Sequence, residues 1–441
     1  MNRISKIFQP MVIIPKGAVI KKAEVSSRSH RLMTELGLIK PATNGTFYLL
    51  PLVQRSVDKL VAIVEAHMRE IDAQRLTLPI LTSGELWKKS GRLGSAPNRE
   101  IMTTVDRHEN LQILSPTNEE SITSLMASLS PISYKQLPLR FYQIGTKFRD
   151  EMKPRFGLIR TKEFIMKDLY TFDGNETNAL DTYHEICGAY EKMLRFIGLT
   201  TFAKVEGDAG LMGGNLSHEY HLPAAVGDDT LVTCEKCGHA ANLEAIPEAK
   251  RKNCGKCGSD SLKISEGIEV AHTFLLGDKY SKPLKATYLQ EHGLTVPVVM
   301  GCFGVGITRL VAAAIEVLST DTDIRWPRKL APFTVCLIPP KAGSKEEKSG
   351  GTALTEDLYR QLSQLPGLED DAVLDDRNHL TIGKRLLLAR RMGYPFVIVA
   401  GSRVVDTPPL LELHLVESGK SLELQPSDII SEIRKHLNEE N

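Results

Sequence analysis

The chain has 441 residues and a formal net charge of +1; a quarter of its residues are charged and 42% are apolar. That allows two or three domains with a large core. It supplies no global field to draw the chain to nucleic acid, and no apolar run nears the roughly 20 residues needed to span a bilayer; a soluble protein is expected. The cysteines number seven, with two CxxC pairs and isolated Cys187, Cys302 and Cys336, which argues against a disulfide framework and for a reducing compartment.

In chain order, no acidic residue precedes Glu24, whereas Arg3, Lys6, Lys16, Lys21 and Lys22 are basic. This suits a mitochondrial transit segment and a loose tail equally, and Pro10 and Pro15 interrupt any amphipathic helix. A helix is expected over 28–38, a polar turn over 41–45 and a short apolar run over 47–52. Val53, Val57, Leu60, Val61, Val64, Met68 and Ile71 then recur at helical spacing. The long helix runs into a strand over 76–81. Pro79 confines that strand to an edge, a bulge or a subunit interface. Residues 111–114 read as a strand leading into Ser115-Pro116-Thr117-Asn118-Glu119-Glu120 and a helix.

Residues 141–172 read as a strand, a basic loop broken by Pro154 and Gly157, and a return strand. Period-2 geometry puts Arg149 and Glu151 on one face, and Phe164, Met166, Tyr170 and Phe172 on another common face. The charged pair can bond to itself, or clasp a ligand carrying a phosphate and an amino group. The aromatic face can stack a base. A helix follows over 179–196, then a glycine-rich polar passage, the cysteine module, and strands over 268–276 and 295–300. At Gly301 to Arg309 a helix opens whose apolar stripe is Ile307, Leu310, Val311, Ala314, Ile315 and Leu318. Beyond an expected linker at 327–332 strands and helices alternate, with strands over 333–338 and 396–400 and helices over 354–365 and 380–391, which implies a small domain with a mixed or parallel sheet. Residues 341–351, KAGSKEEKSGG, are low-complexity and expected to form a mobile loop.

Gly304-x-Gly306-x-x-Arg309 fails as a dinucleotide fingerprint, whose third glycine is here arginine. Two glycines still let a ligand approach the backbone, and an arginine one turn inside a helix suits a polyphosphate. A tight turn with a surface arginine is the alternative.

Taken together, Arg149 with Glu151, Phe164, and the glycine–arginine segment resemble the catalytic core of class II aminoacyl-tRNA synthetases. Phe148-Arg149-Asp150-Glu151 is similar to their second motif and Gly304 to Arg309 to their third. Pro79 resembles the proline of their dimer-forming first motif. The resemblance is closer to the prolyl-tRNA synthetases, through SPTNEE, FRDEMKPRFGLIRTKEFIMKD, MGGNLSHEY, GIEVAHTFLLGDKYS and DDRNHLTIGKR, in order from residue 26 onward. It implies an α+β protein: an N-terminal extension (1–25), an antiparallel-sheet catalytic domain (26–330) with the cysteine module at 226–265, and a C-terminal α/β anticodon-binding domain (331–441). It also implies a homodimer that uses ATP with Mg²⁺, L-proline and tRNA(Pro).

By the same resemblance, Arg149 holds the α-phosphate of ATP and the proline carboxylate. Glu151 reads the adenine amino group, Phe164 stacks the ring with Thr161 nearby, and Arg160 and Arg309 take the β- and γ-phosphates beside Gly304 and Gly306. Arg149, Glu151 and Arg309 are the expected catalytic group. Thr117 and Glu119 brace the imino group of proline; without the resemblance they would read as a helix N-cap and a first-turn acid. Glu269 is expected near metal and nucleotide, His272 and Phe274 near proline. A regular strand would turn Glu269 and His272 to opposite sides, so either a bulge intervenes or one lies outside the site. His218 and Glu219 line the pocket or serve as hydrogen-bonded structural groups.

Cys234-x2-Cys237-x16-Cys254-x2-Cys257 has the spacing of a four-thiolate zinc ribbon. Four protein thiolates leave no open position, so a structural Zn²⁺ is expected. Bacterial-type relatives carry a large editing insertion at this place. Here only the ribbon occupies it, so no cis hydrolysis of Ala-tRNA is expected, although a missing methylene is worth only about 1–3 kcal/mol to a pocket. Lys153 in the second-motif loop, Asp375, Asp376, Arg377, Lys384, Arg385, Arg390 and Arg391 are candidate tRNA contacts. HLTIGKR and the following GYP turn resemble the mitochondrial branch. That favours the mitochondrial matrix over the cytoplasm and a transit role for residues 1–25. Competing readings are a threonyl or glycyl synthetase, against which Thr117-x-Glu119 speaks, and a non-catalytic RNA-binding accessory protein, which would lose the ATP arginines.

Overall fold

The computed structural model describes residues 1–11, 27–93 and 101–438. It divides into two units, one comprising Met1–Lys40, Tyr48–Lys59 and Leu318–Asn441, the other Pro41–Phe47 and Leu60–Val317. The boundary therefore falls at Leu318 rather than 330. The expected linker at 327–332 is instead packed: Arg328–Leu330 is a 3-10 turn, and Leu330 and Ala331 are buried.

The second unit is built on a nine-stranded sheet. Its strands are β1 (Gln74–Arg75), β2 (Leu139–Phe148), β3 (Glu163–Asp173), β4 (Ala203–Glu206), β5 (Leu216–Pro223), β6 (Asp229–Cys234), β7 (Ala240–Asn242), β8 (Leu262–Gly277) and β9 (Val299–Gly306). Their order is β5-β4-β7-β6-β8-β9-β3-β2-β1, with β5 also pairing to β8. The central pairs β2–β3, β3–β9 and β8–β9 are antiparallel, as expected. Helices α1 (Glu119–Leu129), α2 (Glu176–Ile197) and α3 (Ile307–Leu318) complete the frame. Alternation along β3 assigns its faces: Leu169 and Lys167 look one way, towards the side where Tyr190 of α2 lies, while Phe164, Met166, Asp168, Tyr170 and Phe172 look the other. Tyr170 and Phe172 thus belong to the core with Met300, Cys302 and Phe274, so only Phe164 of the expected aromatic face remains for a base.

Two expected strands and one helix start change. Residues 76–80 lie between β1 and a strand Leu81–Ser83, because Pro79 has no N–H to give a ladder; Leu78 donates instead to the Gln143 side chain at 3.0 Å. The 295–300 strand splits at Pro297 into Thr295–Pro297 and β9. β9 also continues through the glycines to Gly306, so α3 opens at Ile307 and not within the glycine segment.

In the first unit a six-stranded sheet runs Asn2–Arg3, Ala372–Leu374, Val335–Ile338, Phe396–Val399, Leu411–Leu415, Lys420–Leu424. Its first four strands are parallel and its last pairs antiparallel, the mixed sheet expected of alternating strands and helices. Helices Gly351–Leu362, Ile382–Met392 and Pro426–Asn438 accompany it. Two expectations are corrected here. The supposed mobile loop at 341–351 contains a helical turn, Lys345–Lys348, capped by Ser344 accepting from Glu347 N–H at 3.2 Å. Residues 2–6, expected to belong to a separate N-terminal extension, form a strand and a 3-10 turn of this unit. Asn2 and Arg3 pair with Val373 and Leu374, and Ser5 donates twice to Asp376, at 3.0 and 2.6 Å. Residues 12–25 of that extension lie outside the described residues.

Candidate active site

A cavity of about 420 Å³ opens on the sheet face formed by β3, β8 and β9. Its nucleotide side starts at the end of β2. Arg149 extends the ladder by one residue, donating to Lys162 O at 2.9 Å, and then the chain turns, with Glu151 N–H on Arg149 O at 2.8 Å. Arg149 and Glu151 are therefore not on one continuous strand, and alternation does not relate them. Arg149 enters the cavity wall and lies over the Phe164 ring, 5.2 Å from its centroid. Thr161 and Phe164 are also in the wall. Glu151 and Arg160 are not: the buried Glu151 carboxylate accepts from Arg160 Nε at 2.8 Å, and Arg160 Nη1 donates to Asp228 at 2.9 Å. Burial opposes the Arg160 charge, but the bonds to Asp228 and Glu151 raise its pKa.

Gly304 and Gly306 form part of the floor. A Cβ on Gly304 would meet nothing nearer than Met166 Sδ at 3.7 Å, so packing does not demand glycine there; its lack of a side chain keeps the floor open. One turn into α3, Arg309 Nη1 donates to the Glu269 carboxylate and to the Glu269 carbonyl, both at 3.1 Å. Of the two alternatives for Glu269 and His272, a bulge or one residue outside the site, the structure shows the bulge. In the β5–β8 ladder Tyr220 pairs with Ala271 and His221 with Glu269, leaving Val270 as the extra residue. It turns Glu269 and His272 to one side, with Glu269 Oε1 2.8 Å from His272 Nδ1. Burial raises the Glu269 carboxyl, but the bond and charge of His272, then Arg309, outweigh it and hold it well below the carboxylate range. The His272 ring stacks on Phe274 at 3.9 Å and its Nε2 lies 2.7 Å from Ser217 Oγ. Asp229, also in the wall, is pushed up to about 6 by burial and the nearby Glu269.

The far wall carries Thr117 and Arg92. Thr117 donates to Glu119 at 2.7 Å, whose other oxygen accepts from Arg92 at 3.0 Å; Cys302 Sγ donates to the first at 2.9 Å. Glu119 is wholly buried behind the wall and braces Thr117 rather than facing the cavity. Arg92 sits over the Trp87 ring and bonds Glu120 as well, at 3.1 Å. Burial opposes its charge but Glu120 and Glu119 together raise its pKa, while burial raises Glu120 against the pull of Arg92. Beneath Thr117, Tyr170 O–H donates to Asp168 at 2.7 Å, and Asp168 pairs with Lys147 at 3.0 Å.

Residues 102–318 match the family described as tRNA synthetase class II core domain (G, H, P, S and T). Over 424 residues the chain is 44% identical to the probable mitochondrial proline–tRNA ligase of Rattus norvegicus, covering 95% of this chain and 87% of that one. It is 36% identical to the probable mitochondrial proline–tRNA ligase of Schizosaccharomyces pombe, covering 94% and 95%. The chain belongs to the proline–tRNA ligase family. Its fold is also that of the prolyl-tRNA synthetase of Cryptosporidium parvum solved with L-proline and AMP, at a TM-score of 0.73 and 16% identity over 93% of this chain and 75% of that one.

Within this ligase fold, Thr117, Arg149, Thr161, Phe164, Glu269, His272, Phe274, Gly304, Gly306 and Arg309 meet around one cavity. Glu219 joins them, whereas His218 bonds Tyr183 at 2.7 Å, away from the cavity wall, and burial followed by Lys204 lowers it to about 4. Sequence reasoning missed Arg92, Asp168, Asp229, Asn242 and Cys302. Asp168 and Cys302 were within reach, since each shares an alternating face with residues already chosen. Arg92 was not: its carboxylate partners lie 27 and 28 residues away.

The ribbon's four sulfurs lie within 4.8 Å of one another, with Cys234–Cys257 and Cys237–Cys254 at 3.6 Å. Tetrahedral thiolates about 2.3 Å from zinc sit about 3.8 Å apart, so the set fits. Each CxxC forms the same knuckle: Gly238 N–H bonds Cys234 O and Gly258 N–H bonds Cys254 O, both at 2.9 Å, with φ of 71° and 72° at the glycines. For Mg²⁺, the oxygens of Glu219 and Glu269 and a nitrogen of His272 come within 4.8 Å of one another, and two carboxylates suit a hard cation.

In the first unit the candidate tRNA contacts separate. Lys384 and Arg390 are exposed. Arg385 is corrected: it is fully buried, donates to Asp375 O at 3.0 Å and Pro339 O at 2.8 Å, and so is a structural residue. Arg377 pairs with Asp375 at 2.7 Å, Asp376 is held by Ser5, and Arg391 donates to Glu35 at 2.9 Å.

Proposed function

We propose that this chain is the mitochondrial enzyme that joins L-proline to tRNA(Pro). The observation that carries this is family membership across nearly the whole chain, with Thr117, Arg149, Phe164, His272 and Arg309 around one cavity. A proline carboxylate oxygen attacks the α-phosphorus of ATP; the new C–O–P linkage forms as the bond to the β-phosphate oxygen breaks, giving prolyl-adenylate and pyrophosphate. The carboxylate is already ionised and needs no general base, so catalysis is positioning and charge stabilisation. Arg149 neutralises the α-phosphate, Phe164 stacks the adenine, and Arg309 faces the leaving pyrophosphate. Arg160, positioned by Glu151 and Asp228, takes the β- and γ-phosphates, and Glu151 reads the adenine amino group. Thr117, held by Glu119, and the His272–Phe274 stack enclose proline. Glu219 and Glu269 would hold Mg²⁺, which would supply charge neutralisation to the polyphosphate. A ribose hydroxyl at the tRNA 3′ end then attacks the acyl carbon and AMP leaves.

The chain also takes one structural Zn²⁺ on Cys234, Cys237, Cys254 and Cys257, contacts tRNA through Lys153, Lys384 and Arg390, and works as a homodimer in the mitochondrial matrix. Exposed Ile80 and Leu81 beside Pro79 support the dimer, and the mitochondrial names of the relatives support the location. With only the ribbon between the second and third motifs, the chain has no cis editing activity. Incubation with labelled proline, ATP and tRNA(Pro) yields charged tRNA, and Ala-tRNA(Pro) persists when added alone. Charging with threonine or glycine instead, or fast ATP-independent loss of Ala-tRNA(Pro), contradicts the respective half.

A further inference from the structure

The cysteine ribbon is tied by its strands to the nucleotide side of the cavity. β6 starts at Asp229, in the cavity wall, and ends at Cys234, an extended run of about 17 Å. Asp228, immediately before it, holds Arg160 at 2.9 Å and also pairs with Arg155, both from the loop between β2 and β3. β7 begins three residues after Cys237 and ends at buried Asn242, whose amide donates to Glu219 at 2.9 Å. β8 begins five residues after Cys257 and carries Glu269. The β6–β8 ladder is unbroken from Cys234↔Leu262 to Asp229↔Gly267. Three strands that present cavity groups therefore converge at their far ends on four thiols.

The far end has almost no core of its own. From residue 243 to 266, Cys254 is the one buried residue. A stretch without apolar burial needs another source of order, and a metal supplies it.

We propose that Zn²⁺ on these thiolates is the outer anchor of the nucleotide wall. Through β6 it fixes Asp228 and hence the Arg155–Arg160 pair, and through β7 it fixes Asn242 and Glu219. Loss of the metal then weakens use of ATP while Thr117 and Phe274 keep their places. This rests on the proposed ligase reaction only for its kinetic arm.

The test is the full-length enzyme with exposed Cys237 and Cys257 both changed to Ser, against wild type. Elemental analysis gives one zinc per chain in wild type and none in the variant, with unchanged far-UV circular dichroism. In ATP–pyrophosphate exchange the variant's KM for ATP rises at least tenfold and its KM for proline changes less than twofold. Hydrogen exchange of residues 228–242 accelerates. Iron in place of zinc, no stoichiometric metal, equal rises in both KM values, or unchanged KM and protection in the zinc-free variant each overturn the anchor. A wild type with no exchange for any amino acid counts against the ligase reading, and the metal and hydrogen-exchange arms still decide the anchor.

Discussion

Lys167 shows how much a single residue can set conditions for this fold. It is fully buried on β3, with Tyr190 O–H and the Phe303 carbonyl, 3.1 Å away, as its partners. Burial, only partly offset by Asp168, lowers its pKa from 10.5 to about 7. An unfolded chain keeps that proton to higher pH than the native one does. The penalty for burying Lys167 is thus complete below pH 7 and disappears as pH rises towards 10.5, so its contribution to stability increases by about 1.4 kcal/mol per pH unit in that window. Urea unfolding at several pH values between 7 and 9.5 checks this: Lys167→Met is more stable than wild type near pH 7, by an amount that shrinks as pH rises. Parallel profiles for the two proteins contradict it.

At the scale of elements, what local rules govern was legible and what distant partners govern was not. The hairpin of β2 and β3, the long helix Pro51–Glu70 and α2 all follow from periodicity and appear where expected. Periodicity alone could not decide between a bulge and a site lacking Glu269 or His272; the register shift at Val270 decides it. The start of α3 was misplaced because glycines such as Gly304 and Gly306 carry no side chain whose alternation would mark where the strand ends and the helix begins. Arg149 and Glu151 were related by a strand that ends one residue before Arg149. The Ile382–Met392 helix is the sharpest case, because neighbours in one basic run meet opposite fates. Arg385→Ala removes two hydrogen bonds to buried carbonyls and lowers stability by about 2–4 kcal/mol. Lys384→Ala leaves stability within about 0.5 kcal/mol and weakens tRNA binding, with a shallower salt dependence. Thermal unfolding and tRNA titration at two salt concentrations separate them; weakened RNA binding by Arg385→Ala at unchanged stability contradicts the assignment.

For the whole molecule, composition bounded little beyond class, whereas motif order along the chain located the cavity's principal residues. What that order could not supply was the second layer: Arg92 holding Glu119 and Glu120, Lys147 holding Asp168, and Asp228 holding Arg160. These pairs are set by tertiary approach, and no spacing rule connects them. The N-terminal residues illustrate the same point, since a basic opening stretch reads as a tail until Asn2 and Arg3 find a parallel partner some 370 residues away. The central claim is that Arg149 acts at the reacting centre of a proline-activating site. ATP–pyrophosphate exchange across the twenty amino acids, for wild type and Arg149→Ala, tests it most directly. Wild type exchanges with proline above all others, and Arg149→Ala loses at least a thousandfold while keeping its far-UV spectrum and oligomeric state. Near-normal exchange in Arg149→Ala, or wild-type exchange led by another amino acid, would contradict the account.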